Sequence, residues 1–163
     1  MPYFNAEPEF SRMSLQPARH IFVYGTLRRG EARDINRLLP APRWRGFASV
    51  PGLMYQLGAY PGVVLGGQAW VRGEVYEISA LLERQLDAIE EVWPQQSGEY
   101  IKRESAVRLD GASGWSAESL TNEAREEILC VLYEIAPERT VGKTVIASGD
   151  WVSTARTAGS ERL

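Results

Sequence analysis

Cysteine and histidine are almost missing from this 163-residue chain, which holds one of each, Cys130 and His20. A lone cysteine excludes an internal disulfide, and one Cys with one His leaves no transition-metal ligand set of the usual kind, so no metal is expected. Cys130 lies within Ile128-Leu129-Cys130-Val131-Leu132, where a thiol reads as a small buried hydrophobe. A catalytic Cys–His pair would need both residues to leave their apparent strands, and a Ser–His–Asp triad would have to be built on His20 alone. Long apolar runs are also lacking. None approaches the length that spans a bilayer, and residues 1–19 carry Glu7 and Glu9 where a secretory signal has its apolar centre. No membrane partner is expected, and a cytoplasmic location is the default. Nor is there an excess of positive charge. A net charge of −3 does not suit a nucleic-acid partner, even with Arg28, Arg29 and Arg33 close together.

What is present is an ordinary globular composition, 44% hydrophobic and 24% charged, long enough for one core without staples. We read residues 1–19 as a loosely ordered arm, 20–153 as a single domain and 154–163 as a tail. Short apolar segments recur between Gly and Pro turns: 21–23, 43–50, 53–57, 63–65 and 69–78, then 100–109 and 128–135. Pro51-Gly52 and Gly66-Gly67 read as breaks between separate strands, and 31–39 as a short helix. Many short strands with such turns point to a strongly bent sheet or a small barrel. Residues 110–127 read as a long surface loop with a short helix in 117–125, and Trp115 inside it is unexplained.

The clearest helix is 79–92. Ser79 is a good N-cap, Leu82, Leu86 and Ile89 make one apolar stripe, and Pro94 is the expected stop. At about 100° per residue, Glu91 falls opposite the stripe and should be solvated. Glu90 falls beside Leu86, where helix meets sheet. There it is either an ordinary flanking charge or a partly desolvated carboxyl with a pKa raised toward that of a useful base.

The stretch Ile21-Phe22-Val23-Tyr24-Gly25-Thr26-Leu27-Arg28-Arg29-Gly30 is a strand broken by a glycine loop. It reads either as a first strand with a tight turn or as a nest of N–H groups able to hold a carboxylate or phosphate oxygen. Glu74 shares a strand face with Tyr76 and Ile78 and is a rival base or a structural partner. Tyr100 and Tyr133 offer hydroxyls but also suit a core or rim. Arg28 and Arg29 could attract an anion, although paired loop arginines are usually solvated.

Tyr24-Gly25-Thr26-Leu27, with Arg29-Gly30, resembles the opening motif of the γ-glutamylcyclotransferase-like (AIG2-like) family. Tyr60-Pro61-Gly62-Val63-Val64, Gly73-Glu74-Val75-Tyr76, Leu86-Asp87-Ala88-Ile89-Glu90, and Tyr100 with Arg103 follow in the family's order. The likeness is greatest to the short γ-glutamylamine cyclotransferases and their bacterial relatives. It implies an α+β fold: a small, mostly antiparallel β-barrel with a few helices packed outside. It also implies conversion of a γ-glutamyl amine or amino acid to 5-oxoproline with release of the amine, and no cofactor. On this resemblance Glu90 is the proton acceptor, while Tyr24, Gly25, Thr26 and Leu27 hold the γ-glutamyl group with Tyr100. The implied partner is a small γ-glutamyl molecule, with a homodimer left open.

Three departures bear on the leaving-group side. Ile89 stands where relatives often carry an aromatic, Glu91-Val92-Trp93 replaces smaller turn residues, and 110–127 is longer than the minimal fold needs. The alternative reading is a non-catalytic module on the same scaffold that binds a small carboxylate or a protein.

Overall fold

The two breaks expected at Pro51-Gly52 and Gly66-Gly67 do not interrupt the sheet. In the computed structural model, which describes residues 18–111 and 126–152, β2 (Arg43–Gln56) and β3 (Pro61–Ile78) form one long antiparallel hairpin. Its register runs from Gln56↔Pro61 to Arg43↔Glu77. The register shifts between Pro51 and Gly52, opposite a bulge in which Gly66 and Gly67 take φ of 103° and 84°. A bulge absorbs extra residues and bends the ribbon while the ladder continues on either side. Local turn signals were therefore overridden by pairing across the hairpin.

The remaining strands are β1 (Arg19–Val23), β4 (Tyr100–Gly111), β5 (Glu127–Ile135) and the short β6 (Thr144–Val145). Their order is β3-β1-β5-β4-β2-β6, and the β2–β3 pairing closes the first five into a barrel. All pairings are antiparallel except β1 with β5. The expected α+β barrel is therefore present. Its helical part is small among the described residues: one α-helix, α1 (Ala80–Ile89), two 3-10 turns, Ile35–Arg37 and Pro137–Thr140, and the helical residues 151–152 at the end of the described segment. Residues 31–39 yield only the first of these turns, which Asp34 caps by accepting from Asn36 N. No described helix is long and apolar enough to cross a membrane. Residues 1–17 of the arm, the 154–163 tail, Trp115 and the 117–125 helix lie outside the described residues.

β1 shows no apolar–polar alternation because both of its faces are buried. Phe22 and Tyr24 join Val50, Met54, Val75, Val107, Cys130 and Leu132 in one cluster. Ile21 and Val23 face the other way, with Val131 and Tyr133 of β5, and meet Leu82 and Leu86 of α1. Burial pushes the Cys130 thiol up to about 12, which suits an inert core residue.

α1 starts as expected, with the Ser79 hydroxyl accepting from Leu82 N at 3.1 Å. It ends three residues earlier than expected, at Ile89, with Glu90 as C-cap. Glu91 adopts a left-handed φ of 53°, and Val92 N then returns to Asp87 O. The helix stop is thus a left-handed residue, not Pro94.

Candidate active site

The loop leaving β1 is held first by its own backbone. Arg28 N donates to Gly25 O at 3.0 Å, Arg33 N to Thr26 O at 2.8 Å and Ile35 N to Leu27 O at 2.9 Å. Gly25 sits so close to Pro61 that an added Cβ would lie 2.7 Å from the ring carbon Cγ. Glycine is needed here for close approach, not for a special φ. The N–H groups of Thr26 and Leu27 donate to no acceptor among the described residues.

Glu74 anchors this loop from β3. It is 3% exposed, pairs with Arg28 Nε at 2.9 Å and accepts from Arg29 N at 3.0 Å and the Tyr76 hydroxyl at 2.9 Å. Arg28 also reaches Asp150 at 2.9 Å, tying the loop to the segment that ends in the buried Trp151. The expectation that Arg28 is solvated is therefore corrected. It is 3% exposed, because two carboxylates compensate its charge inside the fold. Arg29 is exposed and lies over the Trp44 ring. Glu74, once a rival base, is fully committed to structural partners and does not line the cavity described next.

A cavity of about 320 Å³ opens beside the loop. Tyr24, Gly25, Thr26 and Leu27 form one wall, and Ile89, Glu90 and Glu91 at the end of α1 form another. Tyr100 from β4 and Tyr133 from β5 complete its floor with Tyr60 and Pro61. The six residues that the family resemblance assigns to the site, Glu90, Tyr24, Gly25, Thr26, Leu27 and Tyr100, thus line one cavity, while the other candidates Glu74, Arg28 and Arg29 do not.

Glu90 is half-buried, and its carboxylate has no hydrogen-bond partner among the described residues. Burial raises its pKa to about 7; Arg33 works against this, while Glu99 and Glu91 add to it. Glu91 is exposed and Glu90 half-sheltered, as expected, but Glu91 lies beyond the helix in a left-handed conformation, so its exposure does not come from the helical wheel. The tyrosines are different. Tyr24 donates to Tyr133 O at 2.6 Å and accepts from Val63 N at 3.3 Å. Tyr100 donates to Pro61 O at 2.9 Å, and Tyr133 to Asp87 at 2.8 Å. Burial pushes all three phenols far above their usual range. They stay neutral and present rings and lone pairs to the cavity, with their protons already engaged.

Arg33, Ala59 and Glu99 also line the cavity, and sequence reasoning missed all three as site residues. They lie in loops with no periodicity to reveal an inward face, and only the folding back of residues 26–33 brings Arg33 to the rim. Among the described residues no group of three His, Cys, Asp or Glu side chains could hold a metal ion. His20 lies on β1, with Arg45 Nη1 3.1 Å from its ring, and does not line the cavity.

A family profile described as Gamma-glutamyl cyclotransferase, AIG2-like matches residues 21–153, a span that contains every cavity-lining residue named above. The chain belongs to that family. It is 45% identical over 73 residues to a Putative gamma-glutamylcyclotransferase of Vibrio cholerae, a match covering 44% of this chain and 62% of that protein. The fold is similar to YkqA from Bacillus subtilis, with a TM-score of 0.61 at 24% identity. That likeness covers 88% of this chain but only 43% of YkqA. It is similar as well to an AIG2-like protein from Mus musculus, with a TM-score of 0.56 at 25% identity over 79% of this chain and 86% of that one. This chain thus spans less than two thirds of the Vibrio protein and under half of YkqA.

Proposed function

We propose that this family member cyclises a γ-glutamyl amine or amino acid to 5-oxoproline and releases the amine, with Glu90 as the proton acceptor. The observation that carries this reading is the unpartnered Glu90 carboxyl, with its pKa raised to about 7, in the cavity that the Tyr24–Leu27 loop also lines. A bound ammonium can lose a proton to such a carboxylate at neutral pH without the carboxyl being locked in an ion pair.

The substrate brings its own nucleophile. Its α-amine attacks its own γ-carbonyl, forming the ring C–N bond, and the bond from that carbon to the amide nitrogen then breaks. Glu90 takes a proton from the α-ammonium, the attacking nitrogen sheds a second as the ring closes, and both pass through the carboxyl to the departing nitrogen, which leaves as an ammonium with the carboxylate regenerated. No enzymic serine or cysteine is needed, in keeping with a buried Cys130 and a remote His20. The loop and the tyrosine floor hold the γ-glutamyl chain in its cyclising shape, an orientation effect worth up to about 7–11 kcal/mol in well-aligned cases. Transfer through the carboxyl adds roughly 10²–10⁴-fold. The spare N–H groups of Thr26 and Leu27 suit an oxygen of the substrate, the α-carboxylate or the developing oxyanion.

The test is 5-oxoproline release from a panel of γ-glutamyl amides by the full chain and by E90Q. Wild type is expected to turn over at least one of them, and E90Q to lose roughly 10²-fold or more in kcat with an intact circular-dichroism spectrum. A folded E90Q that keeps the wild-type rate removes Glu90 from the mechanism.

A further inference from the structure

A second, more open groove of about 460 Å³ adjoins the cavity, and the two share Ala32, Arg33 and Ile89. Asp34, Arg37 and Leu38 complete it. Its lining is three aliphatic residues (Ala32, Leu38, Ile89), two cationic ones (Arg33, Arg37) and Asp34. Both arginine residues are exposed, and neither guanidinium enters an ion pair or hydrogen bond among the described residues. The one carboxylate in the groove is already committed. Asp34 Oδ1 accepts from Asn36 N and Asn36 Nδ2, and Oδ2 from Gly30 N. The backbone beneath is fixed, because Arg33 N donates to Thr26 O at 2.8 Å and Arg37 N to Asp34 O at 3.0 Å. Two uncommitted cations therefore stand on a rigid turn beside a small apolar wall.

The neighbouring cavity holds three carboxyl groups against one cation, Arg33, which it shares with the groove. Glu90, Glu91 and Glu99 line it and repel any negative group on the departing half of the substrate. The groove is the direction in which such a group gains a partner, and it begins at Ile89, one residue from Glu90. We propose that this groove is the subsite for the released amine, and that this amine is an α-amino acid with an aliphatic side chain. Its carboxylate lies between Arg33 and Arg37, whose planar forks match carboxylate geometry. Its side chain lies on Ala32, Leu38 and Ile89. The inference rests on the cyclisation reading above.

Three substrates separate the parts of the claim. They are γ-glutamyl-L-leucine, γ-glutamyl isopentylamide (the same skeleton without the carboxylate) and γ-glutamylglycine (the carboxylate without the side chain). The full chain is expected to show kcat/KM for the leucine compound roughly tenfold or more above each of the others. In R37Q the ratio between the leucine compound and the isopentylamide is expected to fall toward one, and R37K to recover part of it. Equal kcat/KM for the three, or an R37Q that keeps the full ratio, overturns the subsite and leaves cyclisation standing. Absence of 5-oxoproline from all three overturns the subsite, and its absence across the wider γ-glutamyl panel as well overturns cyclisation itself.

Discussion

Glu90 is held against its own ionisation. Unfolded, its carboxyl titrates near 4.5; folded, burial moves this to about 7, so the native protein keeps a proton that the unfolded chain has released. If Glu90 works as a base it must be ionised first, so kcat/KM is expected to rise with pH and reach half its plateau near pH 7. A pH–rate profile on a turned-over γ-glutamyl substrate checks this. A profile flat between pH 5 and 9 is incompatible with it. At this scale the sequence distinguished Glu90 from Glu91 by a helical wheel, although the helix stops at Ile89 and the left-handed turn at Glu91 is what separates the two. It did not reveal that Arg33 and Glu99 tune Glu90, since both reach it from loops.

At the scale of elements, the loop after β1 depends on two supports, Pro61 behind it and Glu74 beneath it. Gly25→Ala puts a methyl 2.7 Å from the Pro61 ring, closer than real Cβ contacts come, so loop or ring must shift. We expect a loss of about 1–3 kcal/mol in stability from overpacking, with a fall in kcat/KM of tenfold or more. Denaturant unfolding and steady-state kinetics read the two effects. Glu74→Gln removes one charge from a buried ion pair and leaves Arg28 with Asp150 alone. The expected cost is about 3 kcal/mol, the low end of what breaking a buried pair entails. As a positioning residue, Glu74 should lower kcat/KM without moving the pH midpoint near 7. Disappearance of that midpoint in E74Q would give Glu74 a direct part in proton transfer.

For the molecule as a whole, Glu90, Glu83 and His20 contribute to the pH dependence of stability in different windows. Glu90, raised, contributes fully below its unfolded value near 4.5, and this is lost as pH rises through about 7. Glu83, hydrogen-bonded by Arg19 and Lys102, is lowered to about 2; its contribution is present above 4.5 and lost as pH falls toward 2. His20 is lowered by burial and by Arg45, so its contribution is present above 6.5 and is lost on acidification below that. Comparing E90Q with wild type cancels every group but Glu90. The unfolding free energy of E90Q should equal that of wild type near pH 4 and exceed it by about 1–3 kcal/mol at pH 8, the order of the free energy carried by Glu90's raised pKa. Urea melts at several pH values measure this, and a difference independent of pH would contradict the sheltered state of Glu90. Lost activity with gained stability is the pattern expected where a site is held under strain.

Residue order alone determined whatever depends on local periodicity or on a motif. The capped start of α1, the apolar stripe of Leu82 and Leu86, the glycine loop after β1 and the barrel class all follow from patterns within a few residues or from a family resemblance. Only the tertiary structure decided what depends on partners distant in the chain. Ladder pairing carried β2 and β3 through Pro51-Gly52 and Gly66-Gly67, which local preference reads as turns. The burial of Arg28 between Glu74 and Asp150, 46 and 122 residues away, has no local signature because charge compensation acts through space. For the same reason the second groove became visible only when the fold laid Arg33 and Arg37 beside the end of α1.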